Sequence, residues 1–177
     1  MAELLIGCGN SRLKSLRPRG SDWDPVLVTL DLDPNCGATV EWNLERLPLP
    51  FDDESFEEIH AYETLEHVGR QGDWRFFFEQ FSDFWRILTP AGYLCGSVPA
   101  IDSVWSFGDP GHTRLLPPEA FTFLDQATYT KQVGETTLTD YRHVYRADFE
   151  IMGMQRSDDR HRVFFCLRAI KPSRVPA

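Results

Sequence analysis

Apolar and polar positions fall into blocks along the chain. Residues 3–6 carry a short apolar run from Leu4, ended by Gly7, and residues 26–31 (VLVTLD) are a second, β-branched run. Both read as buried strands. Asp31 and Asp33 bracket the end of the second, and Pro34 stops it. Residues 38–42 make a short third strand. LPLPFDDESF (47–56) is turn material, and EEIHAY (57–62) is a fourth strand. From residue 64 to 88 the period becomes helical, with Phe77, Phe81, Phe84, Trp85 and Leu88 on one side and Gly69 and Gly72 as interruptions. PAG (90–92) stops that helix, and YLCGSVP (93–99) reads as a fifth strand closed by Pro99. Two late strands, about 147–155 and 162–170, flank SDDR and form an antiparallel hairpin. Residues 10–25 carry Arg12, Lys14, Arg17 and Arg19 among Pro18, Gly20 and Pro25, so a short helix at most fits there. Residues 100–146 are less regular, and the tail after Ile170 reads as loose.

Strands separated by helices and loops imply an α/β domain with a mostly parallel sheet covered on both faces. The expected architecture is Rossmann-like: seven strands, the last two an antiparallel hairpin. At 177 residues the chain reads as one domain, 1–177, large enough for a core without staples. The net charge of −9 argues against nonspecific nucleic-acid binding, which needs a positive footprint. Cys8, Cys36, Cys95 and Cys166 stand far apart with no C-x-x-C pair, which disfavours a disulfide framework or zinc ribbon. No apolar stretch approaches the ~18 residues of a membrane span. No secretory leader is recognisable. These features point to a cytoplasmic setting.

The chemistry centres on LLIGCGNS (4–11). A glycine-rich turn after the first strand admits a ligand that side chains would block. In open α/β sheets, ligands bind beyond the carboxyl ends of the strands. The third glycine of a dinucleotide fingerprint is absent, with Asn10 and Ser11 in its place, which weighs against nicotinamide-dependent oxidoreduction. Asp31, at the end of the next strand, is placed to accept two hydrogen bonds from a ribose diol.

With these residues in view, the chain resembles the class I S-adenosylmethionine (SAM)-dependent methyltransferases, in particular small ones of the methyltransferase type 11 kind. LLIGCGNS is similar to their glycine motif and TLDLDP to their ribose-binding strand end. WNLERLPLPFDDESFEEIHAYETLEHV resembles their third and fourth motifs, and FWRILTPAGYLCGSVP their post-helix strand. The resemblance covers roughly residues 3–100. It implies SAM as cofactor. Gly7, Cys8 and Gly9 would border its methionine part, Asp31 would hold the ribose, and Leu32 would lie against the adenine. Asn43 would accept from the adenine amine through its carbonyl oxygen, Leu44 would donate its backbone N–H to the ring, and Ala61, Tyr62 and Glu63 would line the methionine pocket. Against the family's pattern, the N-terminal cover helix is missing and residues 10–25 are short of a full helix. The cofactor site is therefore expected to be open, or covered by a second copy or another partner.

Other candidates are weighed beside this site. His60, Glu63 and His67 fall at helix-like intervals, but His60 belongs to the strand and a fourth ligand is wanting, so no metal is expected. In DPGHTRLLPPEAF, His112 is a candidate base and Arg114 a candidate holder of an acceptor carboxylate or phosphate, with bracing of the loop as the plainer role of both. Asp102 is a weaker candidate base. The aromatic cluster 74–85 reads as core and lid, and the basic run 12–19 as solvated surface. Residues 101–146 should build the acceptor pocket. The expected activity is methyl transfer to a small-molecule acceptor; the alternative is a SAM-binding module without turnover.

Overall fold

A computed structural model describes residues 2–20 and 22–175. One seven-stranded sheet runs through it. Its strands are β1 (Ala2–Ile6), β2 (Leu27–Asp31), β3 (Val40–Glu41), β4 (Phe56–Tyr62), β5 (Leu88–Pro99), β6 (Phe149–Arg156) and β7 (Arg162–Ala169). They lie in the order β3-β2-β1-β4-β5-β7-β6. The first five are parallel, and β7 and β6 close the far edge antiparallel. The expected α/β architecture is thus the observed one. Chain order reverses between β1 and β4, which places the switch-point crevice beyond the ends of β1, β2 and β4.

Among the described residues four α-helices accompany the sheet: α1 (Trp74–Ile87), α2 (Trp105–Gly108), α3 (Pro118–Phe121) and α4 (Gln126–Gln132). The Asp73 side chain caps α1 by accepting from the Phe76 N–H, and the chain passes straight from the helix into β5 at Leu88. The glycines at 69 and 72 divide the expected 64–88 helix into a 3-10 turn at Leu65–His67 and α1, because both sit at positive φ. Phe81, Phe84 and Ile87 of α1 pack with Leu4, Ile6, Leu30, Ile59 and Phe165 into the main core.

The opposite face of the sheet is unlike a usual doubly wound fold. Residues 10–20 and 22–25 cross it as a strap without helix. Leu5, Cys8 and Cys36 pack there against Trp23, Leu27 and Tyr62. Period-2 alternation places Glu3, Glu58 and His60 on this face, all buried. Lys14 reaches down from the strap to Glu3 at 2.8 Å and Glu58 at 2.9 Å. Leu16 N–H donates to the Tyr62 hydroxyl, and Trp23 sets its ring edge-on to His60. Lys14 is therefore interior, contrary to the solvated surface expected for the basic run. The tail is also tied down: Arg174 pairs with Asp148 and Asp125, and Lys171 donates to Leu88 O. Cysteines distant in sequence meet as two free pairs. Cys8 and Cys36 have sulfurs 4.0 Å apart; Cys95 and Cys166 face each other across β5 and β7 at 3.4 Å.

Candidate active site

The crevice begins at the Gly7–Gly9 turn. Both glycines have positive φ, and a Cβ on Gly7 would come within 2.2 Å of Thr64 Cγ2, so only glycine fits there. At Gly9 a Cβ would meet nothing within 4 Å: the turn opens on space. Gly9 N–H donates to Asp31 Oδ2 at 2.8 Å, and Asp33 N–H donates to Oδ1 at 2.9 Å. The carboxylate at the end of β2 thus faces the bend after β1. Each of its oxygens keeps a second lone pair for a ligand.

A cavity of about 460 Å³ lies against this junction. Gly7, Asp31, Leu32, Asn43, Leu44 and Glu63 line it, six of the ten residues singled out for the cofactor. Leu32 stands exposed at the rim, and Leu44 is buried. Asn43 Oδ1 accepts from Glu45 N–H at 2.9 Å in a tight turn, leaving its amide N–H groups uncommitted to that bond. Glu63 is held at φ +49 by Ser97, whose carbonyl accepts from the Glu63 N–H at 2.9 Å and whose hydroxyl donates to Oε1 at 2.6 Å. A non-glycine residue held in that region at a crevice is the kind of strain functional sites carry. Trp42, Glu45, Thr64, His67 and Val68 complete the wall. Thr64 is fixed by its contact with Gly7, a contact no sequence spacing announces.

The remaining expectations divide. Gly9 touches the site through its hydrogen bond to Asp31. Cys8 does not line the cavity: it is buried beneath the turn against Cys36, and burial pushes its thiol up to about 11. Ala61 points into the main core, because β4 alternates there. Tyr62 points under the strap, its hydroxyl bound to Leu16 and His60. Only the third residue of that trio, Glu63, reaches the crevice. His60, on the strap face, hydrogen-bonds Glu58 and Tyr62 and never meets Glu63 and His67 as a ligand set.

Residues 111–115 run beside the turn after β4. Thr113 N–H donates to Glu66 O, and Gln71 N–H to Thr113 O. This pairing sets the His112 ring edge-on to His67, centroids 4.5 Å apart, so His112 sits one residue behind the cavity wall. Arg114 is buried; its Nε donates to Leu65 O at 2.8 Å and Nη2 to Gln80 Oε1 at 2.5 Å. Burial draws its pKa down to about 10. Its guanidinium braces the turn against α1, and it borders a separate cavity of about 260 Å³ with Trp74, Phe77, Phe78, Phe123 and Tyr141. Asp102 is exposed, pairs with Arg156, and does not line the Asp31 cavity. Glu66, missed in the sequence, is 2 % exposed between His67 and His112. Burial, reinforced by the fields of Glu63 and Asp109, raises its pKa to about 8.

Strand order, hairpin edge and switch-point crevice together define the class I methyltransferase fold. A SAM-dependent methyltransferase from Archaeoglobus fulgidus superposes with a TM-score of 0.56 at 13% identity, over 94% of this chain and 85% of that one. A protein of Haloferax volcanii described as a methyltransferase, in complex with the Trm112 activator, gives 0.59 at 12% identity, over 96% and 82%. The [4+2]-cyclase SpnF gives 0.58 at 12% identity, over 96% and 74%. Neither a protein-family model nor a curated protein matches the sequence. No helix among the described residues is long and apolar enough to cross a membrane.

Proposed function

We propose that the protein is a SAM-dependent methyltransferase, akin to the small type 11 enzymes, acting on a small molecule in the cytoplasm. One observation carries this reading: the Gly9 N–H and the Asp31 carboxylate meet at the mouth of a cavity wide enough for a nucleoside. There Asp31 would accept from the ribose hydroxyls, with Leu32, Asn43 and Leu44 around the adenine and Gly7 and Glu63 beside the methionine part. Glu45 and Glu63 make the lining acidic, which suits a cationic sulfonium and amine. Bound SAM supplies an electrophilic methyl group, and the protein's task is then to align an acceptor with it. Such alignment is worth ~7–11 kcal/mol of barrier.

The aromatic cavity bounded by Arg114 and built partly from residues 101–146 is the proposed acceptor site. His112 is the residue proposed to act on the acceptor's proton, from its place behind His67. Asp102 takes no part, since its ion pair with Arg156 lies outside the Asp31 cavity. Ile101, Val104, Trp105 and Phe107 expose apolar surface beyond the end of β5, which supports a second copy or a partner over that side of the molecule.

A second reading, SAM binding without methyl transfer, draws on the cyclase among the structural neighbours, since one fold hosts several chemistries. Calorimetry with SAM and S-adenosylhomocysteine separates the readings when joined to transfer of labelled methyl into a small-molecule extract. The methyltransferase reading expects micromolar binding and a labelled product. Binding without product selects the second reading, and no binding removes both.

A further inference from the structure

One cluster remains unexplained by a SAM site. A single ligand atom each from Glu66, His67 and His112 lies within 4.8 Å of the other two. Neither carboxylate oxygen of Glu66 has a hydrogen-bond partner, and neither has His112 Nδ1. Buried carboxylates without a donor are rare, because the group gives up its water for nothing. His112 Nε2 stands 3.9 Å from Glu66 Oε1 and 3.9 Å from Asp109 Oδ2, too far for hydrogen bonds. His67, by contrast, is already oriented: its Nδ1 donates to Gly111 O at 3.2 Å, which leaves Nε2 with the lone pair. An imidazole that gives one N–H to a backbone carbonyl and keeps the lone pair of the other nitrogen free is how metal-binding histidines are held. Gly111 is tight against it, since a Cβ there would sit 3.0 Å from His67 Nδ1.

We propose that Glu66, His67 and His112 bind one divalent transition-metal ion beside the Asp31 cavity. Two imidazoles and a carboxylate select zinc, iron, cobalt or manganese over magnesium and calcium, which favour all-oxygen shells. Bonds of about 2.1 Å set tetrahedral ligand atoms roughly 3.4 Å apart, so an ion draws each of the three side chains in by less than about an ångström. Three protein ligands leave a position open on such an ion, and His67 lines the Asp31 cavity. Insofar as the methyltransferase reading holds, an ion there would take an oxygen ligand, such as an acceptor hydroxyl, at that position. His112 then acts on the acceptor as a holder of the ion.

The test is titration of the full chain, stripped with chelator and free of SAM, with Co²⁺, followed by its visible absorption and by calorimetry. One Co²⁺ per chain, displaced by Zn²⁺, is expected, with affinity falling roughly 100-fold in Glu66→Gln and His112→Gln. Cys36→Ser should bind as the parent does, since Cys8, Asp31 and Cys36 are a separate grouping. In the unaltered protein, Co²⁺ should shift the ring protons of His67 and His112 and spare those of His143 and His161, a readout that survives if a variant misfolds. Absence of saturable binding, binding indifferent to both substitutions, or shifts at other histidines overturns the site. Because SAM is left out, failure here leaves the methyltransferase reading standing, and the SAM calorimetry fails or succeeds independently.

Discussion

Replacing Lys14 by methionine tests why a strap covers the second face of the sheet. The Lys14 ammonium touches Glu3 and Glu58 and also donates to Asp22 O at 3.3 Å. The Lys14 and Glu58 side chains are 3% and 0% exposed. Methionine keeps the apolar stem and removes the charge, leaving two carboxylates in a dry layer with the Asp24 N–H on Glu3 and His60 on Glu58. Removing one partner of a buried ion pair costs about 3–5 kcal/mol, a large share of the ~5–15 kcal/mol that holds a domain. For a chain of this size that lowers Tm by roughly 6–20 °C. pH supplies a second signature. Burial alone would raise Glu58, but hydrogen bonds from His60 and Lys14 outweigh it and hold the carboxyl below its ordinary range. In the parent protein this contribution is complete above about pH 4.3 and fades only as pH falls through the lower folded value. Without Lys14 the acidic pair titrates above its unfolded value, so protonation favours the fold. The deficit should therefore be full at pH 7 and 9 and shrink toward pH 5. Scanning calorimetry and urea unfolding at pH 5, 7 and 9 read both signatures. A Tm loss under about 2 °C at pH 7, or a deficit flat with pH, refutes the reasoning.

Asp31→Ala should weaken SAM binding by at least roughly 100-fold, the worth of two hydrogen bonds to a charged group, measured by calorimetry; parental affinity would unseat the ribose assignment. Gly7→Ala should destabilise by ~2 kcal/mol or more through the clash with Thr64, with partial recovery on adding Thr64→Ala, read by denaturant unfolding. Arg114→Met should cost about 2–4 kcal/mol by stranding Leu65 O and Gln80, visible as a lower Tm before any effect on turnover. At alkaline pH the Lys14 contribution should persist beyond the ordinary lysine range, because Glu3 and Glu58 outweigh burial and raise its pKa; hydrogen exchange of residues 10–25 against pH follows this.

Apolar periodicity by itself determined the strands, α1 and the closing hairpin, since burying one face imposes a repeat of 2 or 3.6 on any element. Punctuation by glycine, proline and acids marked where β1 and β2 end, and so located Gly7 and Asp31 at one rim. What lay beyond that needed contacts between distant residues. Alternation along β4 sends Glu58, His60 and Tyr62 beneath the strap and Ala61 into the core, and only the sheet's position says which face is which. The basic run 12–19 looks like solvated surface until Glu3 and Glu58 are seen below Lys14, because burial of a charge depends on a partner far along the chain. Likewise Glu66 and His112 are 46 positions apart and share no spacing. Folding the 111–115 segment against the turn after β4 brings them together, with both Glu66 oxygens and His112 Nδ1 left without hydrogen-bond partners.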